Sequence, residues 1–185
     1  MIEGLRTITP REAGELIADM MYGSTEDVRA AFEDVNCTVV DDEDGLAPLH
    51  YAVAHHPELT AFFLERTAHP NPRERRRGMT PLQFAISSDR YGAAATLLDA
   101  GADPTLLDRH GNDALWTATH QATLRGREDA KRDLLVRLTS LGCDPHRRAA
   151  PDRPTPVEAL RRATRDEMAD AVEAALAERE RHQGA

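Results

Sequence analysis

Three leucines, Leu49, Leu82 and Leu115, stand 33 residues apart, each inside a copy of one short pattern. The copies read Ala47-Pro48-Leu49-His50, Thr80-Pro81-Leu82-Gln83 and Asp113-Ala114-Leu115-Trp116, and a fourth follows at Thr155-Pro156-Val157-Glu158. A fixed period of this size constrains the fold more than any single residue. It marks a chain of stacked units, each burying its apolar face only against its neighbours. Chains of that design are expected to bind rather than catalyse.

The second copy, Gly78 to Pro104, reads as two short helices and a turn. Thr80 can cap the first helix by accepting a backbone N–H, and Pro81 sits where its missing N–H costs nothing. Leu82, Ala85 and Ile86 fall on one face at helical spacing and form a stripe to bury. Asp89 to Gly92 breaks the pattern, and Ala94, Leu97 and Leu98 restore it until Gly101. Glycine suits the left-handed position after a helix, where a Cβ would cost about 1 kcal/mol.

On these residues the unit resembles the ankyrin repeat, whose signature is T-P-L-H-x-A and whose period is about 33 residues. The first copy keeps Gly45, Pro48, Leu49, His50 and Ala52 but ends in Thr67-Ala68-His69-Pro70 where the second has Gly101-Ala102-Asp103-Pro104. The third runs from Gly111 to Pro145 and needs about eight extra residues around Thr123 to Lys131, a long loop by this reading. The fourth keeps Thr155 and Pro156 and then trails off in Arg and Glu.

The end units of such a stack must show a polar face to water. Pro10 to Met21 reads as a leading cap helix with Leu16, Ile17, Met20 and Met21 inward; Thr25 to Val35 is its partner, with Val28, Ala31 and Phe32 inward. Asp166 to Arg181 is the closing helix, with Met168, Ala171, Val172, Ala175 and Leu176 on one face. The resemblance therefore implies an all-α ankyrin-repeat solenoid of about five helix-turn-helix units in a single domain, residues 1–185. The N-terminal cap covers residues 10–44, the repeats 45–77, 78–110 and 111–151, and the C-terminal cap 152–181.

Only 4% of the chain is aromatic, which fits close helix stacking better than a ligand cavity. The formal charge is −9 and the isoelectric point about 5.3. That balance disfavours nucleic acid and acidic membranes and favours a protein partner with a basic surface. Lys131 is the only lysine among 23 basic residues, a skew expected of GC-rich coding and hence of a bacterial source. Cys37 and Cys143 fall in inter-repeat turns too distant for a disulfide, as expected of reduced thiols in a cytosolic protein. The first ten residues lack both a basic start and an apolar run, and no stretch has membrane-spanning length.

Catalytic signatures are missing from the sequence. Lys131 stands between Ala130 and Arg132 rather than in a Gly-Lys-Ser/Thr phosphate loop, and neither G-x-G-x-x-G, H-E-x-x-H nor C-x-x-C occurs. His55 and His56 are the most tempting pair. As metal ligands they would make a metal-dependent enzyme, but metal sites converge three or four ligands. The favoured reading puts His50 in a turn hydrogen-bond network and His55 and His56 in an exposed loop. His69 takes the place of the repeat's turn aspartate and reads as a surface substitution. Asp41 to Asp44 reads as a solvated loop tip facing a basic partner rather than a cation site.

The resemblance further implies that hairpin tips and first helices line a partner-binding face. On the tips the candidates are Asp42, Glu43 and Asp44, then Arg75, Arg76 and Arg77, then Arg109, His110 and Asn112, and finally Arg153. Arginine forks read carboxylates bidentately, and a row of alternating charge sets partner choice. On the helices they are Tyr51 and His55, Phe84, Ser87 and Ser88, and Thr117, His120 and Gln121. Trp116, in the place of the signature histidine, reads as structural. The expectation is a non-enzymatic protein-binding module without cofactor, monomeric when unbound, cytoplasmic, acting as an inhibitor or immunity-type protein that occludes a toxin or enzyme. The alternatives are a metal-dependent enzyme at His55 and His56 and a self-assembling scaffold.

Overall fold

In the computed structural model, which describes residues 4–41, 43–124 and 126–184, every copy of the repeated pattern opens a helix. The reason is local. Thr80 has an extended backbone, its hydroxyl accepts from the Gln83 N–H, and Gln83 Oε1 accepts from the Thr80 N–H at 3.0 Å. Thr155 and Glu158 make the same reciprocal pair, while Asp113 Oδ1 accepts from the Trp116 N–H at 2.8 Å. Ala47 has no capping side chain, so His50 alone reaches back, its Nδ1 accepting from the Ala47 N–H at 3.1 Å. Each cap satisfies donors that the first helical turn leaves unpaired.

Ten α-helices follow among the described residues, in five pairs: α1 Pro10–Met20 and α2 Thr25–Ala31, α3 Pro48–His55 and α4 Thr60–Leu64, α5 Pro81–Ser87 and α6 Tyr91–Asp99, α7 Ala114–Ala122 and α8 Glu128–Ser140, α9 Pro156–Arg162 and α10 Asp166–Gln183. They divide into two compact units, one ending at Asp103 and the other starting at Pro104. No helix among the described residues is long and apolar enough to cross a membrane.

In the first unit α1 packs on α3, α3 on α5 and α4 on α6. Leu49, Ala52, Leu82, Ala85 and Ile86 are wholly excluded from water, and Phe32 meets Phe63 edge to face at 5.0 Å. The paired alanines, one period apart, let α3 and α5 approach closely. Hydrogen bonds also link neighbouring repeats: the Cys37 N–H donates to the Arg66 carbonyl at 2.8 Å, Arg90 Nε to the Ala54 carbonyl at 3.1 Å, and the Asp103 N–H to Asn71 Oδ1 at 3.0 Å. His69, expected at the surface, is exposed, and its Nδ1 accepts from the Asn71 N–H.

The leading cap is less buried than its periodicity predicts. Ala31 is exposed, Leu16 half-buried, and Met21, just past the end of α1, is 47% exposed. A cap helix has a neighbour on one side only, so part of its stripe stays uncovered.

In the second unit α7 packs on α9 and α8 on α10, around Leu115, Leu135, Leu138, Leu160 and Val172. The closing helix buries Met168, Val172 and Ala175, with Ala171 and Leu176 half-buried. The extra residues at 123–132, expected as a loop, are helix from Glu128 on, while the described residues before it form a turn. Gly126 and Arg127 adopt left-handed turns, and α8 then runs for 13 residues against nine in α6. Arg125 lies outside the described residues. Lys131 is buried; its Nζ donates to the Leu124 carbonyl at 2.9 Å, Arg165 Nη2 donates to the same oxygen at 3.2 Å, and Arg165 pairs with Glu128 at 3.1 Å. Those bonds tie the turn down, which a charge-rich stretch does not announce by its hydropathy.

Cys37 and Cys143 are buried, and their thiols donate to the Val35 and Pro104 carbonyls, each at 3.4 Å. Burial pushes the Cys37 thiol up to about 12, so it is inert as a nucleophile at neutral pH.

Candidate partner-binding site

The hairpins of the first unit are each built around one inward-turned carboxylate. Asp41 Oδ1 accepts from the Asp44 and Gly45 N–H groups at 2.7 and 3.0 Å, and Oδ2 from Leu46 at 3.0 Å. One period later, Glu74 accepts from Arg76 and Arg77 at 2.6 Å each and from Met79 at 3.0 Å. Burial opposes the Glu74 charge, but those three N–H donors and the Arg77 guanidinium together hold its carboxyl below the usual range. Asp41 is therefore not the solvated tip residue expected of it: it is 6% exposed and Glu74 only 4%. Three backbone donors need an acceptor, and a charged one is stronger than a neutral one. The signal was the 33-residue offset between Asp41 and Glu74, hidden because both sit in charge runs.

With the turn's polar groups satisfied internally, its other side chains are turned outward. Glu43, Arg75, Arg76 and Arg77 are exposed and Asp44 is half-buried. The two hairpins touch: the Arg75 N–H donates to the Asp44 carbonyl at 2.6 Å. Gly45 makes this contact feasible, since at φ +66° a Cβ there would lie 2.6 Å from Arg75 Cγ.

Between the hairpins lies a floor supplied by α3 and α5. Tyr51 stacks on His55 with ring centroids 5.8 Å apart, and Phe84 sets its edge on His50 at 5.1 Å. His50 itself is wholly buried; Nδ1 accepts from Ala47 and Nε2–H donates to the Met79 carbonyl at 3.2 Å. Burial drives its pKa down to about 4, outweighing those backbone bonds, so the ring is neutral and structural at pH 7. Tyr51, His55, Phe84, Asp44, Arg76 and Arg77 line a hollow of about 200 Å³. A second hollow of about 520 Å³ shares Asp44 and Tyr51 and continues to α1, where Glu15, Ile17, Ala18 and Met21 join Glu43.

The other candidates fall elsewhere. Asp42 lies outside the described residues. Ser87 is exposed with its hydroxyl donated to the Gln83 carbonyl at 2.8 Å, and Ser88 caps α5; neither lines the hollow. In the second unit Arg109, His110 and His120 are exposed and Gln121 half-buried, while the Thr117 hydroxyl donates to the Asp113 carbonyl. Asn112 and Arg153 are joined at 2.9 Å, and the Arg153 guanidinium lies 4.8 Å from the Trp116 ring centroid. These two serve the packing between α7 and α9. So does Arg147, which pairs with the buried Asp113 at 3.3 Å.

The histidine pair is split. His55 is exposed in the hollow, whereas His56, expected in an exposed loop, is buried with its Nε2–H donated to the Met20 carbonyl at 2.7 Å. That carbonyl is an unpaired group at the end of α1, and a buried imidazole is what satisfies it. Among the described residues no three His, Cys, Asp or Glu side chains are grouped to hold a metal ion.

Comparison with known proteins gives two kinds of match. A family model described as ankyrin repeats, three copies, matches residues 16–108. The nuclear factor NF-kappa-B p105 subunit of Gallus gallus is 36% identical over 104 residues, 52% of this chain, and that of Rattus norvegicus 34% identical over 107 residues, 54% of it. The chain covers only 11% of the length of either relative.

Proposed function

Because this chain belongs to the ankyrin-repeat family, whose repeats are generally non-catalytic protein–protein interaction modules, we propose that it binds one partner protein across the hairpins and first helices of its first unit. The observation that carries this reading is the hollow between the two hairpins. Its framework groups, His50 and Glu74, are consumed by backbone hydrogen bonds, while Tyr51, His55, Phe84, Arg76 and Arg77 around them remain accessible. Preformed backbone loses little freedom on binding, so accessible side chains on a fixed frame make contact at low entropic cost.

The finer reading is steric inhibition: the chain, monomeric until it meets its partner, covers a functional surface of an enzyme or toxin. The net charge of −9 supports a partner whose overall surface is basic. Affinity capture from the native host, followed by an activity assay of the captured partner, tests both levels. A stoichiometric partner that loses activity supports inhibition; one that keeps full activity removes inhibition and leaves binding; no partner at all removes the binding reading.

Arg76→Glu gives a sharper check on the surface. The side chain is exposed and only its backbone N–H serves the fold, so melting should stay within about 0.5 kcal/mol of the parent. Association with a partner that presents an acidic patch to this hairpin should slow severalfold at low salt and less at high salt. A sharp drop in melting temperature would instead make the arginine structural.

A further inference from the structure

The two hollows of the first unit share Asp44 and Tyr51 and so form one path with opposite charge at its ends. Towards α1 the acids are the exposed Glu43 and the half-buried Asp44, backed by the buried Asp41 carboxylate; Glu15 is already paired with Arg11 at 3.1 Å. Towards α5 the exposed guanidinium groups are Arg76 and Arg77, while the carboxylate beside them, Glu74, is spent on three backbone donors. The middle is apolar and aromatic: Tyr51 stacks on His55, and Phe84 shares the lining. Beyond Tyr51 the acidic end also has an apolar floor, Ile17, Ala18 and Met21.

We infer that this path takes a linear segment of a partner protein in which one large apolar residue is flanked by an acidic residue on one side and a basic residue on the other. The apolar residue enters the smaller hollow between Tyr51 and Phe84, whose volume of about 200 Å³ suits one side chain and not a folded element. The acidic neighbour meets Arg76 and Arg77, whose forks donate bidentately to a carboxylate. The basic neighbour lays its aliphatic stem along Met21 and Ile17 with its charge against Glu43 and Asp44, as long cationic side chains do on apolar floors. A uniformly acidic segment would oppose Glu43 and Asp44, and a uniformly basic one Arg76 and Arg77; like-charge juxtaposition of this kind rejects wrong partners. This inference rests on the protein-binding reading and adds the charge order of what is bound.

The test is selection of a display library of short random peptides on the intact protein, with the selected sequences then made synthetically and measured by fluorescence anisotropy. The expected result is enrichment of peptides carrying an acidic and a basic residue on opposite sides of an aliphatic or aromatic one, weakened at least about tenfold by Arg76→Glu and by Glu43→Lys. A peptide with both charges exchanged should regain binding to the double variant. Circular dichroism melting of both variants is expected to match the parent. Enrichment of peptides of one sign, selected peptides indifferent to both substitutions, or no enrichment would each overturn the charge order. If the native partner is captured but its affinity ignores both substitutions, this inference falls and the protein-binding reading stands; if no partner is captured, that reading falls by itself.

Discussion

Replacing Leu82 with alanine is expected to lower the unfolding free energy by about 2–5 kcal/mol. Leu82 is wholly buried in α5, which packs against α3 on one side and α6 on another. The truncation removes apolar area and leaves a cavity around which a close-packed interior relaxes only in part. Urea unfolding followed by circular dichroism measures the loss. The effect should exceed that of the corresponding change at Leu107, which is 41% exposed and has little burial to lose. A loss at Leu82 below about 1 kcal/mol would mean that the repeat does not stack through this position.

The second large effect is an acid instability centred on His50. Its folded pKa, about 4, lies below the ordinary 6.5 because burial disfavours the charged ring. The unfolded chain therefore takes up a proton first as pH falls. Stability is fully present above pH 6.5 and is lost progressively down to pH 4; the total is about 3 kcal/mol, with about 2 kcal/mol gone between pH 7.5 and 5. Glu74 acts in the same direction but lower down, since a carboxyl held below 4.5 loses its stabilising charge only as pH falls past that value. The protein contains the control. Gln83 occupies the matching position one repeat later and closes its cap without a titratable ring. His50→Gln should consequently fold at neutral pH and show about 2 kcal/mol less destabilisation between pH 7.5 and 5. Equal losses in parent and variant would assign the acid sensitivity to another group.

The apolar side of the fold is plain in the sequence because its cause is local and periodic. Thr80 and Pro81 mark the start of α5, Leu82, Ala85 and Ile86 its buried face, and Gly101, at φ +82°, the stop of the second helix, α6. The same reasoning read 123–132 as a loop and missed the helix in its second half: Glu128 to Lys131 look polar, yet they open α8 and bury Lys131 against a carbonyl. Asp41 and His56 were misread, and Glu74 overlooked, for one shared reason. A polar side chain goes inside when unpaired backbone groups are waiting there, and hydropathy carries no record of those groups.

What the sequence determined alone was the repeat, its length, its helix starts and its family, since each depends on residues within one turn or one period of each other. Tertiary structure alone decided which charges are framework and which are surface. Asp41 and Glu74 turned inward because the hairpin places three N–H donors around each, and Arg76 and Arg77 turned outward because their backbones had filled those places. Charge is visible in a one-letter code, but the geometry that neutralises it exists only after the chain has closed on itself.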